Sequence, residues 1–197
     1  MALNLTTSVP TADKLKNRLT RLLSAAVPFA GTVYRSCTPQ FASESDLLNG
    51  EGSKRFGARW NPAGVAVVYA SITPETAMAE TLAHHRYYGI LVEDAMPRTF
   101  VALVVKLKAV LDLRQSSVRQ RLHVALDSVL TVDWRKEVLA GRMPVTQAIG
   151  QAAFHVGLEA LIVPSAADLQ GSNLLVFPAN LPRGNGIRVM NADRLAS

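Results

Sequence analysis

The chain has 197 residues, a net charge of +6, 49% hydrophobic and 18% charged residues, and a single cysteine. That length supports one domain with a sizeable core, and the apolar-to-charged balance excludes an intrinsically disordered chain. Cys37 has no partner for an internal disulfide, so the chain does not look built for an oxidising compartment. With no base assignable to it, Cys37 reads as a packing thiol.

Residues 1–20 lack a basic region followed by an apolar one and do not read as a signal peptide. The longest apolar run, 101–113, is broken by Lys106, Lys108 and Asp112 and is too short to span a bilayer. These features predict a cytoplasmic protein with no membrane partner. Excess Lys and Arg suit an anionic partner, whether nucleic acid, a nucleotide or an acidic protein surface. The basic residues are scattered and never reach a run of five, which argues against direct nucleic-acid binding.

Thr11-Ala12-Asp13 opens an amphipathic helix over 11–23, with Leu15, Leu19, Leu22 and Leu23 on one side and lysines and arginines on the other. It fits a partner-binding arm or, more economically, a helix packed on the domain. A strand follows over 29–37, and the polar stretch 38–53 reads as a loop. Arg59-Trp60 gives a strand end before the turn Asn61-Pro62-Ala63-Gly64. The apolar run 65–70 predicts a buried strand. Thr73-Pro74-Glu75 supplies a capping hydroxyl, a first-turn proline and an acid for a helix running to about Tyr88, with Gly89 as its stop.

Residues 100–107 predict a strong strand. Helices are predicted over 118–130, over 133–139 with Gly141 as its stop, and over 145–155, ended near Gly157. Strands at 160–163 and 174–177 flank a loop. The pattern, without internal repeats, is that of one α+β domain.

Several residues invite chemistry. Arg35 and Arg59 present planar donor forks suited to the two phosphates of a dinucleotide; the plainer alternative for each is a surface ion pair. Gly57 permits close backbone approach and Trp60 can wall a pocket. Tyr69 closes a buried strand, where alternation aims its ring either at the core or into a cleft. Glu80 sits among Ala77, Ala79 and Ala83, so a carboxylate there needs a partner, and the small neighbours leave room for a ligand.

Other candidates are weaker. His84 and His85 are adjacent on a helix and point about a hundred degrees apart, so they do not share a metal ion. His123 and His155 read as satisfied core histidines. Ser165 lacks the Gly-x-Ser-x-Gly elbow of a serine hydrolase. Gly171-Ser172-Asn173 is not followed by the Lys-Ser/Thr of a phosphate loop.

Taken together, Tyr34-Arg35, Gly57-x-Arg59-Trp60-Asn61-x-x-Gly64, Val68-Tyr69-Ala70-Ser71, Ala79-Glu80, and Val163-Pro164-Ser165 with Asn173-Leu174-Leu175 resemble the RES-domain toxins of bacterial toxin–antitoxin pairs. The likeness runs over roughly 31–178. It implies an ADP-ribosyltransferase-like single domain, with small, mostly antiparallel sheets and surrounding helices; the interval between Glu80 and Ser165 is longer than in a compact member of that family, which places an inserted helical block near 116–139. It implies a division into an N-terminal helical arm (1–28), a catalytic domain (29–182) and a C-terminal tail (183–197). The implied activity breaks NAD at the nicotinamide–ribose bond, with NAD as substrate and neither a further cofactor nor a metal.

On this resemblance Glu80, Arg35 and Ser165 are catalytic, and Arg35, Arg59, Tyr69, Trp60, Tyr34 and Asn173 bind NAD. The implied partner is an Xre-like antitoxin, carrying a helix-turn-helix part, whose C-terminal end covers the active site. Water, phosphate or a protein side chain can accept the ADP-ribosyl group. Protein-modifying transferases often carry an extra acid two residues before the catalytic glutamate, where this chain has Met78; that favours a small acceptor. The rival readings are an RNA-cleaving toxin, which needs a base such as His84 or His85, and a non-catalytic basic binding module.

Overall fold

The computed structural model describes residues 12–94, 96–182 and 186–195. The predicted capping residue Thr11 and the ends of both terminal segments lie outside them. Helix α1 (Ala12–Thr20) is followed by strand β1 (Val27–Cys37), helices α2 (Glu44–Asn49) and α3 (Glu51–Phe56), strand β2 (Val68–Ser71) and helix α4 (Pro74–Tyr87). Strand β3 (Thr99–Asp112), helices α5 (Ser116–Leu122), α6 (Leu126–Thr131), α7 (Trp134–Leu139) and α8 (Val145–His155), then strands β4 (Ala160–Pro164), β5 (Ser172–Val176) and β6 (Ile187–Val189) complete the order.

The strands form one six-stranded sheet in the order β1-β2-β5-β4-β3-β6, and β1 also pairs with β3, so the sheet closes on itself. This single sheet replaces the several small ones expected. All its pairings are antiparallel except β3 with β4. Strand β3 is longer than predicted because Lys106 and Lys108 occupy the outward half of its alternation while Val101, Leu103, Val105 and Leu107 are buried. The lysines therefore do not end it. Cys37 is buried and unpaired, as expected of a packing thiol.

Helix α1 buries Leu15 and Leu19. With Leu22 they join Ile149 and Ala153 of α8 and Leu122 of α5 in one core cluster. The amphipathic stripe thus packs on the domain. A second cluster holds Val33, Leu103, Val105 and Leu174 on the other side of the sheet residues. Among the described residues, no helix is long and apolar enough to cross a membrane.

Four local expectations fail for physical reasons. The loop predicted over 38–53 contains α2 and the start of α3. Ser43 caps α2 by accepting the Asp46 N–H at 3.1 Å, and Gly50, at φ 66°, ends one helix and begins the next. The strand predicted from Val65 begins only at Val68 because side chains satisfy the preceding backbone: Ser53 Oγ accepts the Val67 N–H at 2.8 Å, and Asn61 Nδ2 donates to Val65 O at 2.8 Å. The helix predicted over 118–130 breaks at His123, whose φ of 57° closes α5. His123 and His155 are exposed rather than in the core, each standing at a helix end.

Helix α8 lies against the Arg59-Trp60-Asn61 segment at Gly150, where an added Cβ would overlap the Trp60 carbonyl oxygen. Both sides of that approach are backbone and cannot yield cheaply. Gly150→Ala is therefore expected to lower unfolding stability by about 1–3 kcal/mol, read from the urea midpoint at constant slope.

Candidate active site

The residues singled out in sequence converge on one pocket of about 840 Å³, within the range of roughly 300–1,000 Å³ typical of small-molecule sites. Strands β1, β2 and β5 supply Tyr34, Arg35, Tyr69 and Asn173; α4 supplies Glu80; the segment before β2 supplies Arg59 and Trp60. Ser165, 1% exposed, lies just behind the wall and reaches the site through Glu80.

Helix α4 positions the carboxylate. Thr73 caps it by accepting the Thr76 N–H at 3.2 Å, with Pro74 at its first position. Ala77, Glu80, Thr81 and His84 follow a three-and-four-residue spacing, so they share the face lining the pocket. Glu80 is half-buried and makes no ion pair among the described residues. Instead its Oε1 accepts two neutral donors, Ser165 Oγ at 2.6 Å and Asn173 Nδ2 at 2.6 Å. Both supports are themselves held: Ser165 Oγ accepts the backbone N–H groups of Ala167 and Asp168 at 3.1 and 3.0 Å, and Asn173 Oδ1 accepts Ser71 Oγ at 2.8 Å. The loop between β4 and β5 is tied back to α4 by Thr76 Oγ1 donating to Asp168 Oδ2 at 2.7 Å.

The arginines are anchored by carbonyls rather than by acids. Arg35 Nη1 donates to Tyr69 O at 2.9 Å, and its buried Nε has no partner among the described residues. Arg35 shares the β1 face of buried Val33 and Cys37. Burial above all, and nearby Arg98, lower its pKa, while Cys37 opposes them. Arg59 Nη1 donates to Val129 O at 3.2 Å and Val132 O at 3.3 Å at the end of α6. Burial lowers its pKa too, against the attraction of Glu80. Neither arginine forms an ion pair among the described residues.

Tyr69 shows how the arginine segment is fixed. Its hydroxyl accepts the Trp60 N–H at 3.0 Å and donates to Asn61 Oδ1 at 2.7 Å. Asn61, fully buried, sends Nδ2 to Ser53 O, Pro62 O and Val65 O at 2.8, 3.1 and 2.8 Å. The ring of Tyr69 lines the pocket while the phenol is consumed as scaffold, and burial pushes its pKa well above the ordinary tyrosine value. Trp60 is 3% exposed and belongs to the core cluster, so its contribution to the wall is packing.

Asn61 and Ser71 stand within the sequence motifs, which do not show their part in holding the site. Arg98 and Arg135, from the residue just before β3 and from α7, were missed altogether. No local pattern marks either arginine; only the fold brings them to the cavity. The lining carries four guanidinium groups and one carboxylate, a net +3 with the histidines neutral. His84 and His85 have ring centroids 5.6 Å apart and planes at 75°. Among the described residues no group of three metal-ligating side chains gathers.

A pocket of this make-up, on a closed mixed sheet flanked by helices, defines a small-molecule enzyme class with a single acid among fixed cations. The chain belongs to the RES-domain family, whose model matches residues 32–196. It is 32% identical over 160 residues to the Prs ADP-ribosylating toxin of Sphingobium sp. (strain YBL2), covering 79% of this chain and 86% of that protein. It is 25% identical over 160 residues to the NAD(+) phosphorylase MbcT of Mycobacterium tuberculosis (strain ATCC 25618 / H37Rv), covering 79% of each. The crystal structure of the M. tuberculosis MbcT-MbcA toxin-antitoxin complex superposes with a TM-score of 0.69 over 90% of this chain and 91% of the matched chain. Identity there is 23%, so that likeness establishes a shared α+β fold.

Two outcomes follow from the Asn61–Tyr69 scaffold. Asn61→Ala strands the Tyr69 hydroxyl and the Val65 carbonyl, and is expected to cost at least about 2 kcal/mol of unfolding free energy in a denaturant titration. A phenol whose folded pKa exceeds its unfolded one stabilises the fold at neutral pH and loses that contribution as pH rises past the unfolded value. Unfolding free energy should therefore fall above roughly pH 10, by up to about 1.4 kcal/mol per pH unit, more steeply for wild type than for Tyr69→Phe.

Proposed function

We propose that this chain is a toxin-type enzyme that cleaves NAD at the nicotinamide–ribose bond and so depletes it, by hydrolysis or phosphorolysis. The observation that carries the reading is Glu80: a carboxylate held by Ser165 and Asn173, without a basic partner among the described residues, in a pocket whose other charged lining residues are four arginines. The named activities of the two relatives, NAD phosphorolysis and ADP-ribosylation, both begin with breaking this bond. NAD enters as substrate; the reading requires no metal or further cofactor.

In the proposed reaction Arg35 and Arg59 hold the pyrophosphate, Tyr69 stacks on the nicotinamide ring, Tyr34 and Trp60 wall the pocket, and Asn173 and Ser165 orient Glu80. The C1′–N bond breaks with its electron pair going to the pyridinium nitrogen, so nicotinamide leaves neutral and no strong general acid is needed. Positive charge grows on the ribose only as that bond breaks. A fixed carboxylate beside it stabilises the transition state more than the ground state. The acceptor oxygen then bonds to C1′ and releases its proton to solvent.

Met78 is no guide to the acceptor. Glu80 lies on a helix, where positions two apart point about 200° from each other, and Met78 is 37% exposed. An acid at position 78 would not line the pocket either. ADP-ribosyl transfer to a protein is the second reading, favoured by the 32% identity to the Prs ADP-ribosylating toxin. Mass spectrometry of the adenine-containing product separates ADP-ribose, its 1″-phosphate and a modified protein.

A cognate antitoxin belongs to the same proposal: an Xre-like protein whose C-terminal end covers the pocket. The fold it shares with a toxin from a toxin-antitoxin complex supports it. So does Phe56, which lines the pocket yet is 75% exposed, as a covered surface would require. The proposed site of action is the cytoplasm.

Glu80→Gln keeps size and loses charge. It is expected to lower kcat for NAD loss by about a hundredfold to a thousandfold while NAD binding, measured by calorimetry, shifts little. Turnover within about threefold of wild type would remove Glu80 from the chemistry.

A further inference from the structure

The pocket carries more positive charge than one pyrophosphate uses, and part of the surplus sits at Arg135 beside His84. The Arg135 guanidinium carbon lies 4.3 Å from the ring centroids of Tyr87 and Trp134 and 5.3 Å from that of Tyr88. Stacking of this kind fixes the plane of the guanidinium without neutralising it. Its Nε donates to the Tyr88 hydroxyl at 3.1 Å, and its Nη2 lies 3.2 Å from His84 Nδ1. Neither partner is an anion, and among the described residues Arg135 makes no ion pair.

Arginine can only donate, so His84 Nδ1 accepts and the proton of the neutral ring sits on Nε2, a second donor. Burial first, then Arg135, His85 and Arg98, keep the His84 pKa below its ordinary value. Arg98, another pocket residue, donates Nε to Ser36 Oγ at 3.1 Å and likewise lacks an ion pair among the described residues. If Arg135 served only to dock α7 on α4, an apolar side chain would fill the space between the rings without the cost of a half-buried, unpaired charge. A set of oriented donors held by neutral partners, with no anion among them, is what an anion requires.

We infer that Arg135, with His84 and Arg98, forms a second anion subsite in this pocket, taking a phosphate-type dianion in addition to the pyrophosphate of the dinucleotide. What the anion does there rests on the NAD-cleaving reading; that it binds does not. The same chemistry has two sources: free inorganic phosphate acting as acceptor, or a phosphomonoester carried on a ribose of the dinucleotide.

The test begins with binding. Inorganic phosphate is titrated calorimetrically into wild type and into Arg135→Met, which keeps an apolar stem against the rings. Saturable binding that weakens about tenfold or more in the variant, with an unchanged circular dichroism spectrum, supports the subsite. No saturable binding by wild type, or equal binding by both, overturns it. Arg135→Lys, which keeps the charge but loses the fixed plane, is expected to fall between the two.

Turnover then separates the sources. A KM for phosphate that rises in Arg135→Met, with the KM for NAD moving less than about threefold, identifies free phosphate. Loss of a preference for 2′-phosphorylated dinucleotide over NAD identifies the phosphomonoester. A KM for NAD rising in step with either would assign Arg135 to the pyrophosphate and end the proposal. A wild type that binds phosphate through Arg135 yet cleaves neither dinucleotide leaves the subsite standing and removes the NAD-cleaving reading instead.

Discussion

The carboxylate of Glu80 accepting both Ser165 and Asn173 on a single oxygen joins parts of the chain 85 and 93 residues apart. Hydrogen bonds to a charged group contribute about 1.5–3 kcal/mol each, more than neutral ones. Their geometry therefore constrains everything around them: α4 must lie across the ends of β4 and β5, and the intervening loop must turn so that its N–H groups meet Ser165 Oγ. Gly171 permits that turn, since a Cβ there would collide with the Thr76 and Asp168 side chains that lock the loop to the helix. Because Oε2 takes part in neither of these bonds, the node orients the acid without using up its acceptor capacity.

The cations are managed by a different rule. Ion pairs would have satisfied them and silenced them, and the described pocket residues make none. Arg35 and Arg59 lean on backbone carbonyls, and Arg135 leans on aromatic faces. Carbonyl dipoles and π-faces hold a guanidinium in place while leaving its charge uncancelled, which is the condition for binding an anion strongly in a half-buried site. Burial lowers the pKa values of Arg35 and Arg59 but, for a group this basic, leaves the charge intact at neutral pH.

How much of this was legible beforehand can be argued residue by residue. The start of α4 was readable because Thr73, Pro74 and Glu75 each act within one turn, and the buried strands because apolar alternation is local. The loop error over 38–53 was avoidable: Ser43 followed by Asp46 is a capping pattern, and Gly50 a helix stop. The late start of β2 was not, since side-chain bonds from Ser53 and Asn61 replaced the ladder that the apolar run suggested. Among candidate residues, the motif order brought Tyr34, Arg35, Arg59, Trp60, Tyr69, Glu80 and Asn173 to one cavity, yet nothing near Arg98 or Arg135 pointed there.

By itself the sequence determined the family, the α+β class and which side chains have the chemistry for an anionic dinucleotide, because motif order and residue type are carried by the chain directly. Only the tertiary structure decided which partner each of them takes: that Glu80 meets Ser165 and Asn173, that the Tyr69 phenol is scaffold, that Met78 faces elsewhere, and that Arg135 makes no ion pair among the described residues. Those outcomes depend on contacts between residues far apart in the chain, set by how the sheet closes and where α4 and α7 settle against it, and no local pattern encodes such distances.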